Sequence, residues 1–151
     1  MVQEFRQVCL ASGGDFDNAA ENAEKAGFSR VSGELGKALG FKEGSRQSAF
    51  LKNNPYGQGS LIVSLALNEI EGQSVVACGL LAPHDFKAMN AEIDDFFGTP
   101  PKVAFINNGI RTAAWTTLVN GESTDVILND MSGGEPMTQL SVIAPTVKTT
   151  K

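Results

Sequence analysis

The stretch Ser60–Ala82, SLIVSLALNEIEGQSVVACGLLA, decides how the rest of the chain is read. Two apolar runs are joined by a short polar turn, the pattern of a β-hairpin. Side chains alternate along a strand, so Leu61, Val63, Leu65 and Leu67 share one face of the first run, and Val76, Cys78 and Leu80 share one face of the second. The opposite faces carry Ile62, Ser64 and Asn68, then Val75, Ala77 and Gly79, and are themselves fairly apolar. A hairpin apolar on both sides belongs in the middle of a sheet rather than at its edge.

Downstream, residues 83–97 read as a helix: Phe86, Met89, Ile93 and Phe96 or Phe97 form an apolar stripe, and Gly98 with Pro100-Pro101 ends it. VAFIN (103–107) then meets Asn108-Gly109, and IRTAAWTTLV (110–119) meets Asn120-Gly121. Asn-Gly between alternating runs marks a two-residue hairpin, because a type I′ turn needs positive φ at both central residues. Strands over 124–130 and 137–144 complete a four-stranded meander, and residues 146–151 form a polar tail expected to fray. Upstream, residues 2–11 place Val2, Phe5, Val8 and Cys9 on one helical face, and Asp15 caps a second, alanine-rich helix closed by Gly27. A short third helix is expected over 32–39, and an edge strand over 46–52. The expected fold is therefore α+β, one domain over residues 1–145. It is a mostly antiparallel sheet of five to seven strands, with N-terminal helices and one central helix packed on it. The order of hairpin, crossing helix and meander resembles profilin-like and PAS-like layouts, an analogy of fold that carries no activity.

Composition narrows the function classes. A 151-residue chain has the size of one domain and buries about 68–70% of its unfolded surface. Its net charge is −5, and Lys and Arg are scattered with no basic stripe among aromatics, so nucleic acid is not an expected partner. No apolar run approaches the roughly 20 residues that span a bilayer, so membrane insertion is not expected. The N-terminus MVQEFRQVCL lacks a basic n-region and a long apolar h-region. That leaves a cytoplasmic protein, or a mature form in which Met1 stands in place of a removed leader.

Few residues could carry chemistry. Cys9 and Cys78 both point toward the core. They form either a disulfide that staples the first helix to the hairpin, or two unrelated buried thiols. Two cysteines and one histidine without CxxC spacing make a poor zinc set, so no metal is expected. His84, the only histidine, could serve as a general base, but no nucleophile or orienting carboxylate is spaced to serve it; an exposed imidazole is the plainer reading. A Cys78–His84 catalytic pair would be held too far apart by the strand between them. Asp15, Asp17 and Glu21 lack the glycine and distant glutamate of a calcium loop and read as helix-capping acids. Phosphate-binding, dinucleotide, nucleophile-elbow and HExxH motifs do not occur, and no cofactor is expected. The loop Lys52-Asn53-Asn54-Pro55-Tyr56-Gly57-Gln58 gathers amides, a cation and the only tyrosine; Lys52, Asn53, Asn54 and Tyr56 are the candidate ligand-binding residues.

Cys9, the alanine-rich helix through Ala19, Ala23 and Ala26, the closing Gly27-Phe28 pair and Cys78 in an apolar strand together resemble a pattern in small exported proteins of alphaproteobacteria. Similar sequences often carry Gly-Trp at the position of Gly27-Phe28, and the resemblance covers about half the chain. It implies a periplasmic or secreted protein with a Cys9–Cys78 bridge, and it transfers no activity. The resulting expectation is a non-enzymatic envelope protein that binds a protein or a small ligand. The alternatives are a hydrolase assembled around His84 and a ligand-sensing domain of PAS or profilin type.

Overall fold

The computed structural model describes residues 1–31 and 46–146. The helix expected over 32–39 and residues 147–151 of the tail lie outside them. The first helix, α1 (Val2–Phe5), continues directly into a π-helical turn (Arg6–Leu10), closed by the Ala11 amide donating to the Arg6 carbonyl five residues back. This wider turn brings both Val8 and Cys9 inward, beside Phe5. Helix α2 (Phe16–Lys25) begins where the Asp15 carboxylate accepts from the Asn18 amide at 2.9 Å. It ends in a full Schellman closure: Gly27 N–H donates to Glu24 O and Phe28 N–H to Ala23 O, both at 3.0 Å. Helix α3 (Phe86–Phe97) is capped by Asp85, whose Oδ2 accepts from the Ala88 amide at 3.0 Å.

The strands are β1 (Ser29–Arg30), β2 (Arg46–Asn53), β3 (Ser60–Ile70), β4 (Gln73–Ala82), β5 (Val103–Asn107), β6 (Ile110–Val119), β7 (Glu122–Asp130) and β8 (Thr138–Pro145). They form one antiparallel sheet in the order β1-β2-β3-β4-β8-β7-β6-β5. The α+β class and the antiparallel pairing agree with the sequence reading, but eight strands among the described residues correct the expected five to seven. The added strand is β1, two residues that run from the α2 closure alongside Leu51 and Phe50. Two residues are too few for alternation to register as a pattern. Both Asn-Gly pairs form the expected turns, with positive φ at Asn108, Gly109, Asn120 and Gly121. The central hairpin turns the same way, at Glu71-Gly72.

The β3–β4 hairpin is interior, flanked by β2 and β8. Its inward face is the anticipated one: Leu61, Val63, Leu65, Val76, Cys78 and Leu80 are all buried. They meet Leu140 and Val142 of β8, Val126 and Leu128 of β7, and the apolar sides of α1, α2 and α3 in one hydrophobic cluster. Trp115 of β6 is the largest buried side chain; its indole N–H donates to Asp94 Oδ1 on α3 at 3.1 Å, and Phe97 stacks on its ring. Phe97 therefore completes the α3 stripe, and Phe96 lies exposed. The segment before α2 is pinned at Gly14, where φ is +79° and an added Cβ would collide with the Pro145 carbonyl. Thr146, the first residue of the expected tail, is tied to Ser74 O through its amide at 3.0 Å and its hydroxyl at 3.1 Å.

Candidate functional site

Cys9 on the π-turn and Cys78 in mid-β4 sit at disulfide distance, with Sγ atoms 1.96 Å and Cα atoms 5.5 Å apart. Both are 2% exposed. Of the two readings open at the level of sequence, the bridge between helix and hairpin is the one the structure holds. Because β4 lies between β3 and β8, with Cys78 opposite Leu65 and Val142, the link reaches the middle of the sheet.

The candidate ligand-binding loop divides. Lys52 turns away from the others: its Nζ donates to Ala26 O at 2.8 Å and lies over the Phe28 ring, closing the C-terminal end of α2. Asn53 is exposed at the end of β2. Asn54 and Tyr56 instead come together with His84. Asn54 is buried and organises the loop, its Oδ1 accepting from the Tyr56 amide at 3.0 Å and its Nδ2 lying 3.1 Å from Gln58 O and 3.3 Å from His84 Nε2. The Tyr56 and His84 rings meet edge to face, 6.1 Å between centroids.

Tyr56 then reaches α1. Its hydroxyl donates to Glu4 Oε1 at 2.5 Å, and Glu4 Oε2 faces the Met1 amino group at 3.0 Å. Ionising the phenol would lose that bond and set two negative charges together in a partly desolvated place, so the Tyr56 pKa is pushed up to about 12. Burial works to raise the Glu4 carboxyl, but the Tyr56 hydroxyl and the neighbouring amino and amide groups outweigh it and hold Glu4 below its ordinary value. Asn54, Tyr56, His84 and Glu4 are thus linked one to the next. The cluster is a lock that fastens the Asn54–Gly59 loop onto α1 and the start of α3.

The acids weighed for calcium are also occupied elsewhere: Asp15 caps α2, Asp17 pairs with Arg46, and Glu21 pairs with Lys25 at 3.0 Å. Among the described residues, no three His, Cys, Asp or Glu side chains converge as metal ligands would.

A different site lies on the sheet face opposite the three described helices, where the sequence singled out no binding residue. Two adjoining depressions, of about 230 and 370 Å³, share Ser141 and Ile143 and cross β3, β4, β8 and β7. The floor of the first is mostly apolar and built of small residues, Ala66 of β3 with Ala77 and Gly79 of β4, among which Ser64 of β3 and Gln139 and Ser141 of β8 set three polar groups. Gly79 matters because a Cβ there would lie 3.2 Å from Ser64 Oγ and 3.6 Å from Gln139 Nε2. Val75, Ile127 and the half-exposed Ile143 make the second depression apolar, and Glu122 and Asp125 set an acidic end to it. The one signal available beforehand was the run of small residues at Ser64, Ala66, Ala77 and Gly79 on the second face of the hairpin. The contribution of β8 depends on a β4–β8 pairing between residues distant in sequence, such as Gly79 with Ser141 and Leu81 with Gln139.

No family model, curated protein or solved structure matches this chain.

Proposed function

We propose that this chain is a non-catalytic binding protein of the cell envelope, and that it takes a small amphipathic ligand on the sheet face opposite the described helices. The observation that carries the reading is the trough across β3, β4, β8 and β7. It combines a concave apolar floor with a few convergent polar groups (the Ser64 and Ser141 hydroxyls and the Gln139 amide), the usual constitution of a small-molecule site. The envelope location is supported by the disulfide-bonded pair, which persists in oxidising compartments, and by the resemblance to exported proteins. A non-catalytic role is supported by the engagement of His84 Nε2 with Asn54, which leaves that nitrogen already partnered.

The alternative of a hydrolase rests on the same four residues, Glu4, Asn54, Tyr56 and His84, meeting from three parts of the chain. One pair of measurements separates the two. A thermal-shift screen of amphipathic small molecules should yield binders whose shift is lost in Gly79→Val, which fills the trough floor, and kept in His84→Ala. Turnover of an ester, amide or phosphoester that disappears in His84→Ala and survives Gly79→Val would overturn the proposal.

A further inference from the structure

The two edges of the sheet are finished differently. At one, β2 is partly covered by the two-residue β1, which carries Ser29 and Arg30. At the other, β5 (VAFIN) lies open, and all five of its residues are exposed. Val103 is 45%, Phe105 49% and Ile106 70% exposed, and the strand contains no charge and no proline. Edge strands are ordinarily guarded by charge, proline or a bulge, because their free N–H and C=O groups template another strand. Lys102, just outside, is paired with Asp125 and offers little repulsion.

The register of the free groups can be counted. Asn107 pairs with Ile110 across the Asn108-Gly109 turn, Phe105 with Thr112 and Val103 with Ala114. In an antiparallel ladder that starts from a two-residue turn, these residues direct their amides to β6. The amides and carbonyls of Ala104 and Ile106 then face outward. The Lys102 amide is already committed to Ala114 O at 2.9 Å.

We propose that β5 pairs antiparallel with β5 of a second copy of this chain about a two-fold axis at Phe105, joining the two sheets into one. Only this register uses both free positions of each strand: Ala104 meets Ile106 of the other copy, and Ile106 meets Ala104. A slip by two residues one way would call on the committed Lys102 amide; a slip the other way would call on the turn residue Asn108. Side-chain size agrees with the register. On the helix-bearing face, large Ile106 lies opposite small Ala104, over a groove lined by Phe86 and Asn90 of α3 and Arg111 of β6. On the other face, Phe105 meets Phe105, an aromatic cross-strand pair. The contact is isologous, so it closes at two copies. A five-residue strand with three large apolar side chains falls short of the roughly 800 Å² per partner of a standard interface, so the dimer is weak and depends on concentration.

The test is sedimentation of the intact, oxidised chain from low-micromolar to millimolar concentration, together with variants that add one free cysteine to it, under mild oxidation. The mass should rise from 16.0 kDa toward twice that value. Phe105→Cys sits in a non-hydrogen-bonded pair with Cα atoms about 4.5 Å apart, within bridging range. Val103→Cys shares the same face, but its two copies lie four residues out of register, about 14 Å apart. Phe105→Cys should therefore cross-link roughly tenfold faster than Val103→Cys. Ala104→Pro removes one outward amide and no β6 bond, and should abolish the mass increase while leaving thermal unfolding close to that of the wild type. A wild-type chain that stays at 16.0 kDa throughout, or equal cross-linking at positions 103 and 105, would overturn the proposal.

Discussion

Removing the Cys9–Cys78 bridge should cost this fold a large part of its stability, and the size follows from where the cysteines lie. The two residues are 69 apart, and the chain-entropy relation for a loop of that length gives about 4 kcal/mol at 25 °C. A domain of this size is ordinarily stable by about 5–15 kcal/mol, so the bridge represents between a quarter and most of the total. At about 2–4 °C per kcal/mol for chains of 150 residues or more, the melting temperature should fall by about 8–16 °C. Because both cysteines are buried, the Cys9→Ala/Cys78→Ala pair is the better replacement; serine would leave two hydroxyls to be satisfied in the core. Urea unfolding of the oxidised, reduced and alanine forms can be followed by Trp115, the only tryptophan, which is buried beneath α3. The denaturant dependence should also steepen without the bridge, since the unfolded chain is then less compact. Two results would refute the reasoning. One is an oxidised midpoint that coincides with the reduced one, and the other is two freely alkylated thiols in unreduced, unfolded protein.

Three further outcomes test separate parts of the structure. Tyr56 is the only tyrosine, so its phenolate absorbance can be read without interference: at about pH 10.5, where free tyrosine is mostly ionised, the folded protein should still show a phenol. Its raised pKa means the Glu4 bond contributes stability that is fully present below about pH 10 and is lost as pH climbs toward 12; Glu4→Gln should lower the midpoint, and a wild-type midpoint near 10 would count against the bond. The Ser132 hydroxyl, opposed by partial burial and joined by the Arg111 guanidinium, holds Asp130 below the usual carboxylate range. Its contribution is present above the ordinary aspartate pKa and lost as pH falls through the depressed one; carboxyl NMR titration should show the midpoint move up in Ser132→Ala. Finally, Gly14→Ala should cost about 3 kcal/mol or more, from positive φ and a clash with the Pro145 carbonyl, whereas Gly133→Ala, with open space around it, should stay within about 0.5 kcal/mol in the same denaturation assay.

Local rules made most of the elements legible. Asn-Gly dipeptides forced two turns, Asp15 found the amide it was expected to cap, and period-two alternation identified the buried face of β3 and β4, with Leu67 at its end only half-buried. Two elements escaped for the same reason. Strand β1 is too short to show a period, and the π-turn at Arg6–Leu10 keeps a helical spacing of apolar residues while changing the hydrogen-bond step. Neither has a signature at the level of side-chain pattern: β1 follows the chain leaving α2 beside β2, and the π-turn differs from an α-helix only in its backbone hydrogen bonds.

The candidate site divides along the same line. The loop at Lys52–Gln58 stood out by composition, yet its members serve different neighbours. Lys52 closes α2, and Asn54 and Tyr56 fasten to His84 and Glu4, partners 30 and 52 residues away. Polar residues in a loop are conspicuous in sequence whether they bind a ligand or hold the loop, and only the partners distinguish the two. The trough is the reverse case. Ser64, Gly79 and Ser141 are inconspicuous alone, and become a site because β8, last in the chain, inserts beside β4 rather than beside β1 or β2. That insertion also leaves β5 with β6 as its one neighbour among the described strands. The same pairing that completes the trough at the centre therefore opens the apolar edge, and only β6 stands between β5 and β7, the nearest strand of the trough. A ligand in the trough and a second copy at β5 would not compete for the same residues.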